Sequence, residues 1–99
     1  MNYVFHREAI PEYLDQVAFY ESQLAGLGAD YLAEFAAVME RICATPDRFS
    51  LAIPPDIRKL AFKRFPFYVM YRAEATRIVI LAVAHQRRRA LYWAGRVGQ

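Results

Sequence analysis

The run RIVILAVAH, Arg77–His85, narrows the possible folds more than any other stretch of the chain. It is almost continuously apolar, and it ends abruptly on QRRR. A strand wet on one face alternates apolar with polar residues. This one does not, so it reads as a strand covered on both faces or central in a sheet. The remaining segments have to supply its neighbours. FYVMYRA, Phe67–Ala73, is a second strand, joined to the first by a tight hairpin connection over Glu74–Thr76. Upstream, Ile57, Leu60 and Phe62 lie among Arg58, Lys59 and Lys63, a loosely alternating strand at or near an edge. Tyr3–His6 is short and β-prone and reads as an opening strand.

Between the opening strand and the later ones the period lengthens. Ile10, Tyr13, Leu14, Val17, Tyr20 and Leu24 recur at three- and four-residue spacing from about Ala9, which predicts a helix with those residues on one face. Pro11 falls in its first turn, where the missing N–H matters little, and Gly26 and Gly28 offer the stop. Tyr31, Phe35, Val38 and Ile42 form the stripe of a second helix, with Leu32 and Met39 beside it, closed by Pro46. The short link predicts an αα-hairpin. TPDRFSLAIPPD, residues 45–56, is rich in proline and turn formers and reads as a loop. Arg89–Val97 is one helical turn or a tail. The expected class is therefore α+β, ordered β-α-α-β-β-β, with an antiparallel sheet and the helical hairpin packed on one face.

A length of 99 residues at 57% hydrophobic suits one domain with a real core, spanning 1–99. No stretch approaches the roughly 20 apolar residues of a membrane span, and the N-terminus lacks the apolar segment of a signal peptide. The expected location is cytoplasmic, with no membrane partner. The single cysteine, Cys43, allows no internal disulfide and reads as a buried, inert thiol. Charge is distributed unevenly. Residues 1–56 hold three arginines against nine carboxylates, a net −6, whereas residues 57–99 hold ten lysines and arginines against Glu74 alone, a net +9. A basic half attracts nucleic acid or an acidic partner through a field that salt weakens.

The chemical options are few. Two histidines, His6 and His85, and one cysteine give no basis for a metal site, so no metal and no cofactor is expected. There is no glycine-rich phosphate loop and no G-x-S-x-G elbow. Metal-free RNA cleavage remains open, because it needs only a base, an acid and cations around the phosphate. Lys59, Lys63, His85, Arg87 and Tyr92, with Arg88 and Arg89, are the groups available for it. Each also has a structural reading: His85 as a strand terminus, the arginines as a solvated turn, Tyr92 and Trp93 as packing.

The order of elements, together with RFPFYVMYR (Arg64–Arg72), IVILAVAH (Ile78–His85), RRRALYW (Arg87–Trp93), the N-terminal FHREA and FYE at Phe19–Glu21, resembles the RelE/ParE superfamily of bacterial toxins. The resemblance covers nearly the whole chain and implies the toxin half of a type II toxin–antitoxin module, a growth inhibitor neutralised by a small antitoxin that wraps around it. An antitoxin tail of acidic and apolar residues suits the basic half. Residues implied in target or antitoxin binding are Arg58, Arg64, Arg72, Arg87, Arg88, Arg89 and Trp93.

Two branches divide the superfamily. RelE-like members cut mRNA on the ribosome, and in that reading Lys59 or Lys63 matches the basic positions of the early strand, Arg87 the arginine after the last strand, and Tyr92 the C-terminal tyrosine, with Trp93 competing for that register. Where those nucleases place an arginine after the aromatic of the middle strand, this chain has Tyr68 after Phe67. Such a loss removes about 3–4 kcal/mol of charge stabilisation in comparable oxyanion sites. ParE-like members lack the catalytic set and act on DNA gyrase, trapping it on broken DNA. The missing arginine and the long hairpin favour ParE-like gyrase inhibition, with ribosome-dependent mRNA cleavage as the alternative. A non-toxic basic nucleic-acid-binding module is the third.

Overall fold

A computed structural model describes residues 1–98. Its elements are β1 (Asn2–Phe5), α1 (Ala9–Gln23), α2 (Leu27–Ala44), β2 (Leu51–Ile53), β3 (Ile57–Ala61), β4 (Phe67–Ala73), β5 (Arg77–His85) and a final 3-10 turn, Ala94–Arg96. The strands form one sheet in the order β1-β5-β4-β3-β2. β5 is buried from Ile78 to Ala84 because strands flank it on both sides and each of its faces carries a layer. The α+β reading of the sequence therefore holds, with two corrections. β1 pairs parallel to β5, from Asn2 opposite Arg77 to Phe5 opposite Ile80, so the sheet is mixed rather than wholly antiparallel. The segment 45–56 is not all loop either. Leu51–Ile53 form an edge strand against β3, a position where the following Pro54 and Pro55 interrupt no inner ladder.

A bulge decides which side chains of β5 face which way. Met70 pairs with Ala82 and Tyr71 with Ile80, leaving Leu81 as the extra residue. Ile78, Ile80 and Val83 consequently face the helices with Phe67, Val69 and Tyr71, while Val79, Leu81, Ala82 and Ala84 face the other way with Ile57, Met70 and Trp93. Without the bulge the parity would carry through and His85 would turn to the opposite face.

The hairpin packs on the first of these faces. Tyr31, Phe35, Val38, Met39 and Ile42 of α2 are buried as the stripe predicts, whereas Leu32 is 40% exposed. On α1 the expected face is too wide. Ala9 is buried and Tyr13, Val17 and Tyr20 are half-buried against the core, but Ile10, Leu14 and Leu24 stay largely exposed. An α-helix laid over one partner helix and a sheet edge covers a narrow arc, and those three residues fall outside it. The helices approach closely at Gly28, where an added Cβ would meet the Val17 carbonyl oxygen at 2.9 Å. Glu21 of α1 accepts the Gly26 and Gly28 N–H groups at 3.0–3.1 Å, so one helix caps the start of the next. Cys43 is half-buried. No helix among the described residues is long and apolar enough to cross a membrane.

Candidate functional site

The basic ending of β5 folds back over the sheet. Gln86 donates its N–H to Pro66 O at 2.8 Å, and the Arg87 and Arg88 N–H groups turn onto Nδ1 and the carbonyl of His85, both at 3.0 Å. Accepting at Nδ1 leaves the proton of a neutral His85 on Nε2. The ring meets Phe67 edge-on at 5.0 Å. Leu91 then adopts φ +60°, a left-handed conformation that costs a β-carbon-bearing residue about 1–3 kcal/mol. That reversal brings Trp93 down onto the helix-free face of the sheet, where only 2% of it stays exposed among Ile57, Met70, Leu81 and Ala84.

What holds the segment there is a carboxylate from the far end of the chain. β1 stops opposite Ile80, so the edge of β5 beyond it has Val83 N–H and Leu81 C=O without strand partners. Glu12, in the first turn of α1, accepts the Val83 N–H at 3.1 Å. Arg96 donates to Leu81 O at 3.0 Å and to both oxygens of Glu12, at 2.9 and 3.1 Å. Tyr92 donates its hydroxyl to Glu12 Oε2. The Tyr92 hydroxyl is pushed well above the usual tyrosine range, first by burial and then by its bond to Glu12. Burial by itself would lower the Arg96 value, but the hydrogen bonds and charge of Glu12 outweigh it, and the guanidinium holds its proton more firmly than usual.

Beside this clasp lies a pocket of about 220 Å³. Lys59, Tyr68, His85, Arg88, Arg89 and Tyr92 line its polar side, and Met70, Ala84 and Trp93 lie beneath. The Lys59 ammonium sits 5.0 Å from the Tyr68 ring centre, and the Arg88 guanidinium 4.0 Å from that of Tyr92.

The cations named from the sequence therefore separate into groups. Lys59, Arg88 and Arg89 converge on the pocket, and Arg87 is exposed on the same turn. Arg58 donates to Phe49 O at 2.7 Å on the helix side of the sheet. Arg72 bonds Val97 O at 2.8 Å and pairs with Glu74 at 3.6 Å. Lys63 and Arg64 are exposed on the β3–β4 loop, with Arg64 3.6 Å from Asp30 of α2. Trp93 is a core residue, 2% exposed, that meets the outside only at the floor of the pocket. Sequence reasoning did not single out Glu12 or Arg96. Their contact spans 84 positions, and no local pattern announces it.

A five-stranded sheet with a helical hairpin on one face and the tail folded onto the other is a fold with known relatives. A solved structure described as a chromosomal ParDE TA system from P. aeruginosa superposes with a TM-score of 0.57 at 20% identity, covering 86% of this chain and 95% of that one. No curated protein matches the sequence. The family model for the ParE toxin of the type II toxin–antitoxin system, parDE, matches residues 3–90. With that match running from β1 into the basic turn, the chain belongs to the ParE toxin family of type II toxin–antitoxin systems.

Proposed function

We propose that this toxin arrests growth by inhibiting DNA gyrase and that a cognate antitoxin neutralises it. The observation that carries the choice of target is the state of Tyr92. In the nuclease reading Tyr92, His85 or a lysine would transfer the proton, and here the Tyr92 hydroxyl is committed to Glu12, flanked by Arg96 and raised above the usual tyrosine range, which takes it out of acid–base work. Tyr68 supplies a ring wall where a phosphate-stabilising cation would be wanted. The exposed turn Arg87–Arg89 is then a binding surface rather than a catalytic one. Membership of the ParE family supports the same reading. An acidic, partly apolar antitoxin segment is the partner that the basic face favours.

A supercoiling assay with purified toxin, gyrase and plasmid tests this directly. Lost supercoiling with accumulation of linear DNA is the expected outcome. If folded toxin leaves gyrase untouched, the target reading fails, and ribosome-dependent mRNA cleavage through Lys59, Lys63, His85 and Arg87 becomes the reading to pursue.

A further inference from the structure

The pocket at the C-terminal turn has an unusual wall. Two other concavities of the molecule carry Glu40, or Glu12 and Asp15, among their lining residues. This one is lined by no carboxylate, although Lys59, Arg88 and Arg89 all reach it. Among the described residues, none of the three forms an ion pair with a carboxylate. Lys59 and Arg88 rest instead on aromatic rings, an arrangement that positions the cations while leaving N–H groups for an oxygen acceptor. Like charges gathered over an apolar floor of Met70, Ala84 and Trp93 repel one another, and an anion between them relieves that repulsion. A volume of about 220 Å³ is several times the share of a water molecule and admits a phosphodiester group.

We propose that this pocket and its cationic rim bind consecutive backbone phosphates of duplex DNA, one for each of Lys59, Arg88 and Arg89, so that the toxin docked on gyrase also grips the DNA that gyrase carries. The inference rests on the gyrase reading above, since on that enzyme the polyanion at hand is DNA. Three cations around one cavity, with no planar array of donors and acceptors aimed at base edges, read charge and not sequence.

The test is fluorescence anisotropy of a labelled DNA duplex titrated with purified toxin between 50 and 200 mM salt, beside an RNA duplex of equal length and a separate supercoiling assay. Three phosphate-directed cations give a slope of log K on log salt of about −2.7, a loss of affinity of about 40-fold over that range. Lys59→Gln and Arg89→Gln, checked for folding by Trp93 fluorescence, each bring the slope to about −1.8 and the loss to about 12-fold. No binding at 50 mM, an unchanged slope in both variants, or tighter binding of RNA overturns the proposal. Gyrase inhibition without DNA binding overturns it and leaves the gyrase reading standing. DNA binding without gyrase inhibition removes the gyrase reading, and the DNA grip on gyrase falls with it.

Discussion

Replacing Glu12 by alanine should unfasten the C-terminal segment and take much of the stability of the fold with it. The Glu12 and Arg96 side chains are only 14% and 12% exposed, so the substitution leaves a nearly buried guanidinium without its counter-charge. Breaking a buried pair from one side costs about 3–5 kcal/mol, and slight exposure places this one near the lower end. The Val83 N–H also loses its acceptor, adding about 1 kcal/mol. A total of about 4 kcal/mol is a large fraction of the 5–15 kcal/mol typical of a domain. For a chain of this size it lowers Tm by about 15–30 °C. Urea melts followed by fluorescence of the single tryptophan suit the question, because Trp93 lies on the segment that Glu12 holds. Glu12→Gln keeps the volume and one carbonyl acceptor and should lose about half as much. A loss under about 1 kcal/mol in the alanine variant, with the denaturant slope unchanged, would refute the clasp as the fastening of this segment.

Four further outcomes are expected. Tyr92→Phe keeps the ring beneath Arg88 and deletes only the hydroxyl, so growth arrest persists while stability drops by about 1.5–3 kcal/mol; loss of arrest in the folded variant would instead implicate that hydroxyl in catalysis. Changing Arg87, Arg88 and Arg89 together to alanine abolishes growth inhibition, and a toxic triple variant with native circular dichroism would reject the basic turn as the target-facing surface. Tyr31→Phe stabilises the protein by about 1 kcal/mol, because the Tyr31 hydroxyl is the buried side-chain atom among the described residues that finds no hydrogen-bond partner; a lower urea midpoint would contradict this. Burial raises the Tyr71 hydroxyl from 10.0 to about 12, with its proton donated to Pro46 O. The unfolded chain ionises that tyrosine first, so its contribution is whole below pH 10 and is lost as pH climbs through 12. Chemical melts across that window, compared with those of Tyr71→Phe, read the slope out.

Much of the fold was legible from periodicity. The change from helical spacing to a period near two after Pro55 marks where the hairpin ends and the sheet begins, and the unbroken apolar run of β5 marks a strand with neighbours on both sides. Local patterns were less informative where burial depends on what lies opposite. Ile10, Leu14 and Leu24 have the right spacing for a core face, yet they fall outside the arc of α1 that packs on α2 and β5. β2 was hidden because a three-residue edge strand between prolines has no period of its own.

By itself, then, the sequence determined the class of fold, the order of every element but the short β2 and the final 3-10 turn, the segregation of charge and the concentration of arginines after the last strand. These are properties of neighbouring residues, and neighbouring residues carry them. Only the tertiary structure decided which cations meet. It set Lys59 across the sheet from Arg88 and Arg89, diverted Arg58 and Arg72 to backbone carbonyls, and flipped the face of His85 through one extra residue in β5. It also joined Glu12 to Tyr92 and Arg96 across most of the chain, because a strand edge left short by β1 has buried polar groups that something must satisfy.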